Sequence, residues 1–309
     1  MKLLKNTFDG YFYQHWTFLV AFSYFFKGVA RELNIASNFF FNWHQDIVIR
    51  TFKKRWLKTN SQGEFYFDIN GAIFPDFSSN KHALYSFASL IFDDTFLVPC
   101  FYNDNYASNV INKLDKHMVE GPYGYKKGSF DVTITKNDVV IDAGAWIGDF
   151  SAYASSKGAV CYAFEPITTT FSLLCETAKL NKNIYPVQKG LGNTEGKLSL
   201  FIEDFDGTNS MYKTENRNTR SEIINITTLD QFVEENKLER VDFIKADIEG
   251  AERDLLKGAT QSLKKFAPKL AICTYHLPDD PQVLEQLILE ANPNYTIIHL
   301  KHKLFACVI

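Results

Sequence analysis

Three groups of residues in this chain have types and spacings that could do chemistry. The first follows the apolar run Val139-Val140-Ile141: Asp142-Ala143-Gly144-Ala145-Trp146-Ile147-Gly148 reads as the end of a strand, a tight small-residue turn and the start of a helix. Glycines there let a backbone approach a ligand closely. Asp142 at the strand end is placed to accept hydrogen bonds from a cationic ligand or from turn amides. Seventeen residues beyond Gly148, Glu165 ends the next apolar run and is followed by Pro166. An acid at that position can hold both ribose hydroxyls of a nucleoside in the crevice of a parallel sheet. The second group is Lys245-Ala246-Asp247-Ile248-Glu249-Gly250-Ala251-Glu252. Strand alternation puts Lys245, Asp247 and Glu249 on one side, with Asp247 at the strand's carboxyl end. The third is Cys273-Thr274-Tyr275-His276, which follows another apolar run and brings His276 to the same rim.

Each group has a plainer explanation. A strand-turn-helix need not hold anything, and acids opening a helix are favoured by its dipole. That accounts for Glu252 and in part for Glu249. It accounts poorly for Asp247, which directly follows a buried-type strand. A dinucleotide site shares the layout, but its G-x-G-x-x-G pattern needs a middle glycine to admit the pyrophosphate. This chain has Trp146 there, which suits a nucleoside ligand without a pyrophosphate. Two carboxylates at i and i+2, Asp247 and Glu249, do not distinguish a general base from a metal site, so a divalent metal is possible but not indicated.

The elements that must position these groups alternate. Strands are expected over 139–141, 160–164, 184–187, 241–246 and 270–274, and helices over 150–157, 168–181, 251–266 and 282–290. Leu198 to Ile202 and Ile223 to Ile226 read as an inserted strand pair, and Thr227-Thr228-Leu229-Asp230 opens a short helix. Tyr295 to Leu300 and Leu304 to Val308, separated by Lys301-His302-Lys303, suggest an antiparallel hairpin. Alternation of this kind implies a doubly wound, mostly parallel sheet. Seven strands with one antiparallel match the α/β class I S-adenosylmethionine (SAM) methyltransferase, Rossmann-like architecture.

Before about residue 120 the chain is different: rich in Phe, Tyr, Asn and His, with irregular periodicity. The domain boundary is therefore placed between residues 119 and 120. Phe18, Phe22, Phe25, Phe26, Val29 and Leu33 recur at helical steps and read as a core-packing or dimer-forming face. Lys53-Lys54-Arg55 beside Trp56 reads as a solvated helix face. Asn70-Gly71 between apolar runs is a hairpin signal, because a type I′ turn needs positive φ at both positions. A net charge of −3 gives no support to nucleic-acid binding. The five cysteines are scattered with no CxxC pair, which suits reduced thiols in a cytoplasmic protein. The most apolar stretch, Trp16 to Phe26, is far short of the roughly 20 residues that span a bilayer; peripheral membrane contact stays open.

Taken in order, these motifs resemble the FkbM family of SAM-dependent methyltransferases. The resemblance rests on residues 140–148, on Tyr162-Ala163-Phe164-Glu165-Pro166, on Leu191-Gly192 with the Gly196 turn, on Gly207-Thr208-Asn209-Ser210, on Thr227-Thr228-Leu229-Asp230 and on residues 243–252. Many family members carry Asn where this chain has Trp146. The resemblance covers about Glu120 to Val308 and assigns nothing to the N-terminal part. It implies SAM as cofactor and methyl transfer to oxygen, often a hydroxyl of a sugar or natural product. It further implies that Asp142, Gly144, Ala145, Trp146 and Gly148 line the methionine end of SAM, that Glu165 with Pro166 meets the ribose, and that Glu120 and Tyr123 touch the cofactor. Thr208, Asn209, Ser210 and Tyr275 are candidates for the acceptor, a saccharide or other small molecule. Asp247 or His276 is the candidate base, with Glu249 orienting its neighbours. A non-catalytic binding protein on the same fold, docking partners through its Phe-rich N-terminal part, and an NAD-dependent oxidoreductase are the rival readings; a homodimer through the N-terminal part is a further expectation.

Overall fold

The computed structural model describes residues 18–32, 37–93, 123–202, 220–300 and 302–309. The chain divides into two compact units, Met1–Asn70 with Pro75–Pro122, and Gly71–Phe74 with Tyr123–Ile309. The expected boundary at 119/120, together with Glu120, Thr208, Asn209 and Ser210, lies outside the described residues.

In the first unit, helices α1 (Phe18–Glu32) and α2 (Ser37–Trp56) are followed by strands β1 (Leu57–Thr59) and β2 (Phe65–Ile69), which pair antiparallel. Asn70 and Gly71 both take positive φ, 53° and 94°, as a type I′ turn requires. They lead into β3 (Ala72–Pro75), most of which belongs to the second unit; helix α3 (Lys81–Asp93) follows in the first. Phe52, Phe67 and Phe87 are fully buried, with ring centroids 4.8 and 5.4 Å from Phe52. The core-packing alternative for the α1 face is corrected in part, while the dimer-forming alternative is left standing. Val20 and Ser23 point inward, while Phe22 and Phe26 are exposed, because the Ser23 hydroxyl is used inside against the Val20 carbonyl and the His44 ring. The basic run at 53–55 has Lys54 and Arg55 exposed, with the Arg55 guanidinium over the Trp56 ring.

The second unit opens with a hairpin, β4 (Tyr125–Lys127) and β5 (Phe130–Val132), and then alternates. The order is β6 (Val139–Ala143), α4 (Asp149–Ser156), β7 (Val160–Phe164), α5 (Thr168–Leu180), β8 (Ile184–Val187), β9 (Gly190–Leu191), β10 (Gly196–Ile202), β11 (Arg220–Thr227), α6 (Leu229–Glu235) and β12 (Phe243–Ala246). Then come α7 (Glu252–Lys257), α8 (Thr260–Phe266), β13 (Lys269–Cys273), α9 (Asp280–Ala291), β14 (Tyr295–Leu300) and β15 (Lys303–Val308). Seven strands form one sheet in the order β14-β15-β13-β12-β6-β7-β8, parallel except for β15, which runs antiparallel to both neighbours. A reversed last strand inserted beside the fifth parallel one is the strand order of the class I methyltransferase fold. The inserted strands β10 and β11 pair antiparallel, and β11 runs parallel to β9.

The strands are buried on both faces, which is why they read as continuous apolar runs rather than alternations. The main core joins Ile141, Phe164, Ile244 and Ile272 of the sheet to Leu229, Leu255 and Leu284 of the helices. One helix expectation is corrected: 251–266 is two helices, broken at Gly258-Ala259. A Cβ on Gly258 would sit 2.0 Å from the Gly192 carbonyl oxygen, so the chain there must be glycine. The Asp230 amide donates to the Gly258 carbonyl, and the Asp230 carboxylate accepts from the Gln261 and Ser262 amides, capping the second helix. Thr228 caps α6 itself through the Gln231 amide. The Leu191-Gly192 and Thr227-Thr228-Leu229-Asp230 motifs are thus packing and capping devices.

Candidate functional site

Strand order reverses between β6 and β12: β7 and β8 extend the sheet one way, β13 and β15 the other. Ligands of open α/β sheets sit at the carboxyl ends of strands at such a reversal. The loops after β6 and β12 touch there. A Cβ on Gly144, at φ 75°, would lie 2.0 Å from the Asp247 carbonyl oxygen. The amides of Gly144 and Ala145 donate to the Phe164 carbonyl, so the turn is tied to the end of β7.

Glu165 is positioned by the same turn. Its Oε2 accepts from the Trp146 amide at 3.1 Å and its Oε1 from the Ile167 amide at 2.9 Å, while Pro166 between them offers no amide. Burial pushes its carboxyl up to about 7 even though both amides favour the charged form. Each oxygen keeps a lone pair for a further donor. Trp146 has φ 48°, the left-handed region that Asn tolerates better than a bulky residue. Gly148 holds φ 87°, the left-handed region that favours glycine, and a Cβ there would also come within 2.9 Å of Leu174 Cδ1.

Asp142 does not bond the turn amides. It is fully buried; its Oδ2 accepts from the Ser151 hydroxyl at 2.6 Å, and its Oδ1 lies 3.1 Å from Lys245 Nζ. Lys245 is its cross-strand neighbour and also donates to the Gly144 carbonyl at 2.7 Å. Burial opposes the lysine's charge, but Asp142 and Asp247 raise its pKa.

Asp247 and His276 converge as expected, and Tyr275 and Tyr123 join them. Tyr123 donates to Asp247 Oδ2 at 2.5 Å and Tyr275 to Oδ1 at 3.1 Å. Burial works against the Asp247 carboxylate, yet Lys245, Lys303 and the Tyr123 hydroxyl hold it below the usual range. Tyr123 lies under two ammonium groups, Lys245 at 5.3 Å and Lys303 at 4.4 Å from its ring centre. Burial, with Asp247 and Glu252 nearby, pushes Glu249 up to about 7 against the attraction of His276. His276 faces three carboxylates: Glu252 Oε1 is 3.0 Å from Nδ1, and Glu249 Oε2 and Asp247 Oδ1 are 3.5 and 3.7 Å from Nε2. Burial would lower its pKa, but Glu252, Asp247 and Glu249 raise it to about 9.

Two participants were not assigned from sequence. Lys245 sits on the expected face, but its pairing with Asp142 depends on strand register, which the sequence does not state. Glu252 reads as a helix-opening acid, yet it is fully buried and accepts from the Ile248 and Gly250 amides. The turn that makes this possible has positive φ at Glu249 and Gly250, and Gly250 was the visible signal for it. Of the five cysteines, Cys161, Cys273 and Cys307 are buried, and all four in the described residues are free thiols. Among the described residues no helix is long and apolar enough to cross a membrane.

Residues 142–295 match the model of the methyltransferase FkbM domain. The hexuronic acid methyltransferase AglP of Haloferax volcanii is 29% identical over 166 residues, covering 53% of this chain and 67% of that protein. Methyltransferase 1 of Beauveria bassiana is 30% identical over 154 residues, covering 42% of this chain and 61% of that protein. Among solved structures, a methyltransferase FkbM from Methylobacillus flagellatus is similar with a TM-score of 0.45 and 19% identity, over 84% of this chain and 58% of that one. The chain therefore spans about two thirds or less of each of these relatives.

Proposed function

This chain belongs to the FkbM methyltransferase family, and from that premise we propose that it moves a methyl group from SAM to a hydroxyl oxygen of a sugar or related natural product. The observation that carries the reading is the placement of two distinct chemistries on one rim: a glycine turn with Glu165, and a carboxylate–imidazole–phenol cluster around Asp247. The donor set of the first suits SAM. Glu165 retains acceptor capacity for two ribose hydroxyls, and the 143–148 turn is tied back out of the way by its own amides. The AglP relative, by its name, acts on hexuronic acid, which favours a saccharide acceptor here.

When bound, SAM supplies a methyl group already activated by its positive sulfur, so the protein's task is alignment, exclusion of water and management of one proton. Lys245 fixes the turn through the Gly144 carbonyl and fixes Asp142 through the ion pair. Asp247, held ionised and clamped by two phenols, accepts the acceptor's O–H and orients its lone pair. His276, with Nε2 3.7 Å from Asp247 Oδ1, stands beside the carboxylate as its partner, and the proton passes to Asp247. General-base help of this kind is worth about 10²–10⁴-fold. Residues 1–119 stand, in this reading, as an extension serving acceptor binding or dimerisation.

Calorimetric titration with SAM tests the cofactor half. Micromolar binding, weakened by Glu165→Ala, supports the reading. A folded protein that does not bind SAM sinks it and favours the non-catalytic binding protein.

A further inference from the structure

We propose that Asp247, Glu249 and His276 form a binding site for one divalent cation, and that this cation holds the acceptor oxygen; the second half rests on the oxygen-methylation reading above and the first does not. One ligand atom from each of the three side chains lies within 4.8 Å of the others. Acidic clusters are common, but this one contains an imidazole nitrogen with nothing to do. Nε2 of His276 is buried without a hydrogen-bond partner, on a side chain only 8% exposed. It points between Asp247 Oδ1 at 3.7 Å and Glu249 Oε2 at 3.5 Å. Those separations are too long for hydrogen bonds, which close to about 2.7–3.2 Å. They are right for one ion shared among three ligands: bonds of about 2.1 Å at angles of 90–120° put ligand atoms about 3.0–3.6 Å apart.

The surroundings are those of a metal-binding histidine. Nδ1 faces the buried Glu252 carboxylate at 3.0 Å, and Glu252 is itself fixed by the Ile248 and Gly250 amides. A carboxylate behind the imidazole orients it and leaves Nε2 as the donor to an ion. Asp247 is likewise oriented by the two tyrosines. Two carboxylate oxygens with one imidazole suit Mn²⁺ and similar first-row ions rather than a thiolate-seeking one. Three protein ligands leave coordination positions open, where a hydroxyl would be acidified by the ion.

The test is titration of the full chain with Mn²⁺, without SAM or acceptor, read by loss of the free-ion electron paramagnetic resonance signal. One ion per chain at micromolar affinity is expected. Asp247→Asn and His276→Ala should weaken it at least tenfold, and Glu252→Gln by about 10–100-fold. Asp279→Asn, an exposed acid paired with Arg253, should leave it unchanged. Circular dichroism checks each fold, and His276→Gln replaces the alanine variant if that one misfolds. No stoichiometric uptake of Mn²⁺ up to millimolar concentration, or uptake indifferent to these substitutions, overturns the site. Titration with SAM in a chelating buffer reports the cofactor reading separately, so either can fail alone.

Discussion

SAM affinity should depend on pH through Glu165, and the size of the effect follows from its burial. The free carboxyl sits at about 7, raised by burial against two amide donors. On the proposed reading, ribose hydroxyls donate to the ionised form and so select it. At one pH unit below that value roughly a tenth of the molecules are ionised, and at one unit above roughly nine tenths, so affinity should rise about tenfold between pH 6 and pH 8 and then level off. The same shift has a cost to stability. A carboxyl whose folded pKa lies above its unfolded value of 4.5 stabilises the fold at low pH, and that contribution is lost as pH rises from 4.5 through about 7. Two and a half units correspond to roughly 3 kcal/mol at the most. Glu165→Gln removes the charge penalty but turns an amide group toward one of the two backbone donors, so its stability should change little at pH 8. Its SAM affinity should be weaker and flat across the range. Calorimetry at four pH values, in buffers of differing ionisation enthalpy, measures affinity and proton release together. The Gln variant corrects for titration of the SAM amino group. Affinity that is flat between pH 6 and pH 8 in the wild type, or a slope shared by the variant, refutes the reasoning.

Other consequences are as direct. Gly144→Ala should lower unfolding stability by about 3 kcal/mol or more in denaturant titration, since the new carbon meets the Asp247 carbonyl and φ is positive. Trp146→Asn should raise it by about 0.5–1 kcal/mol, because φ 48° strains a bulky residue more than Asn. Asp247→Asn should lower turnover by about 10²–10⁴-fold, read by mass spectrometry of the methylated acceptor, while SAM affinity stays within a few-fold. His44 is buried with its pKa lowered to about 3, first by burial and then by Lys27. Its contribution to stability is present above pH 6.5 and lost as pH falls from there toward 3, so the acid unfolding midpoint of His44→Gln should move to lower pH.

The alternation of the second unit was legible because parallel strands covered on both faces are written as short apolar runs. The reversed strand β15 was legible from the spacing around Lys301-His302-Lys303. The break at Gly258 was not, because its cause is the carbonyl of Gly192, 66 residues away in sequence. Periodicity alone did not choose between a core-packing and a dimer-forming face for Phe22 and Phe26, because it counts apolar residues, while Ser23 faces inward through a hydrogen bond with His44. In the site, Asp247, Glu249 and His276 could be grouped because each follows the end of a strand. Lys245 and Glu252 could not be assigned, since a lysine in a strand and a glutamate opening a helix both have ordinary explanations. Register and a left-handed turn at Glu249 give them their roles.

Asp142, Lys245 and Asp247 carry a further argument about why this site is built from charges. Replacing a buried ion pair with well-packed apolar side chains often costs nothing or stabilises, so the Asp142–Lys245 pair is weak evidence for stability. Its geometry is better evidence for positioning. Lys245 Nζ reaches Asp142, the carbonyl of Gly144 and the field of Asp247 from one point in the sheet. It therefore fixes the turn beside Glu165 and, two residues along its own strand, the start of the Asp247 loop. The direct contact between Gly144 and the Asp247 backbone removes the remaining slack between them. In-line methyl transfer tolerates little error in the placement of the two reactants. A rigid charged joint between the two loops is a physical reason for this chain to keep a lysine in the middle of its most buried strand.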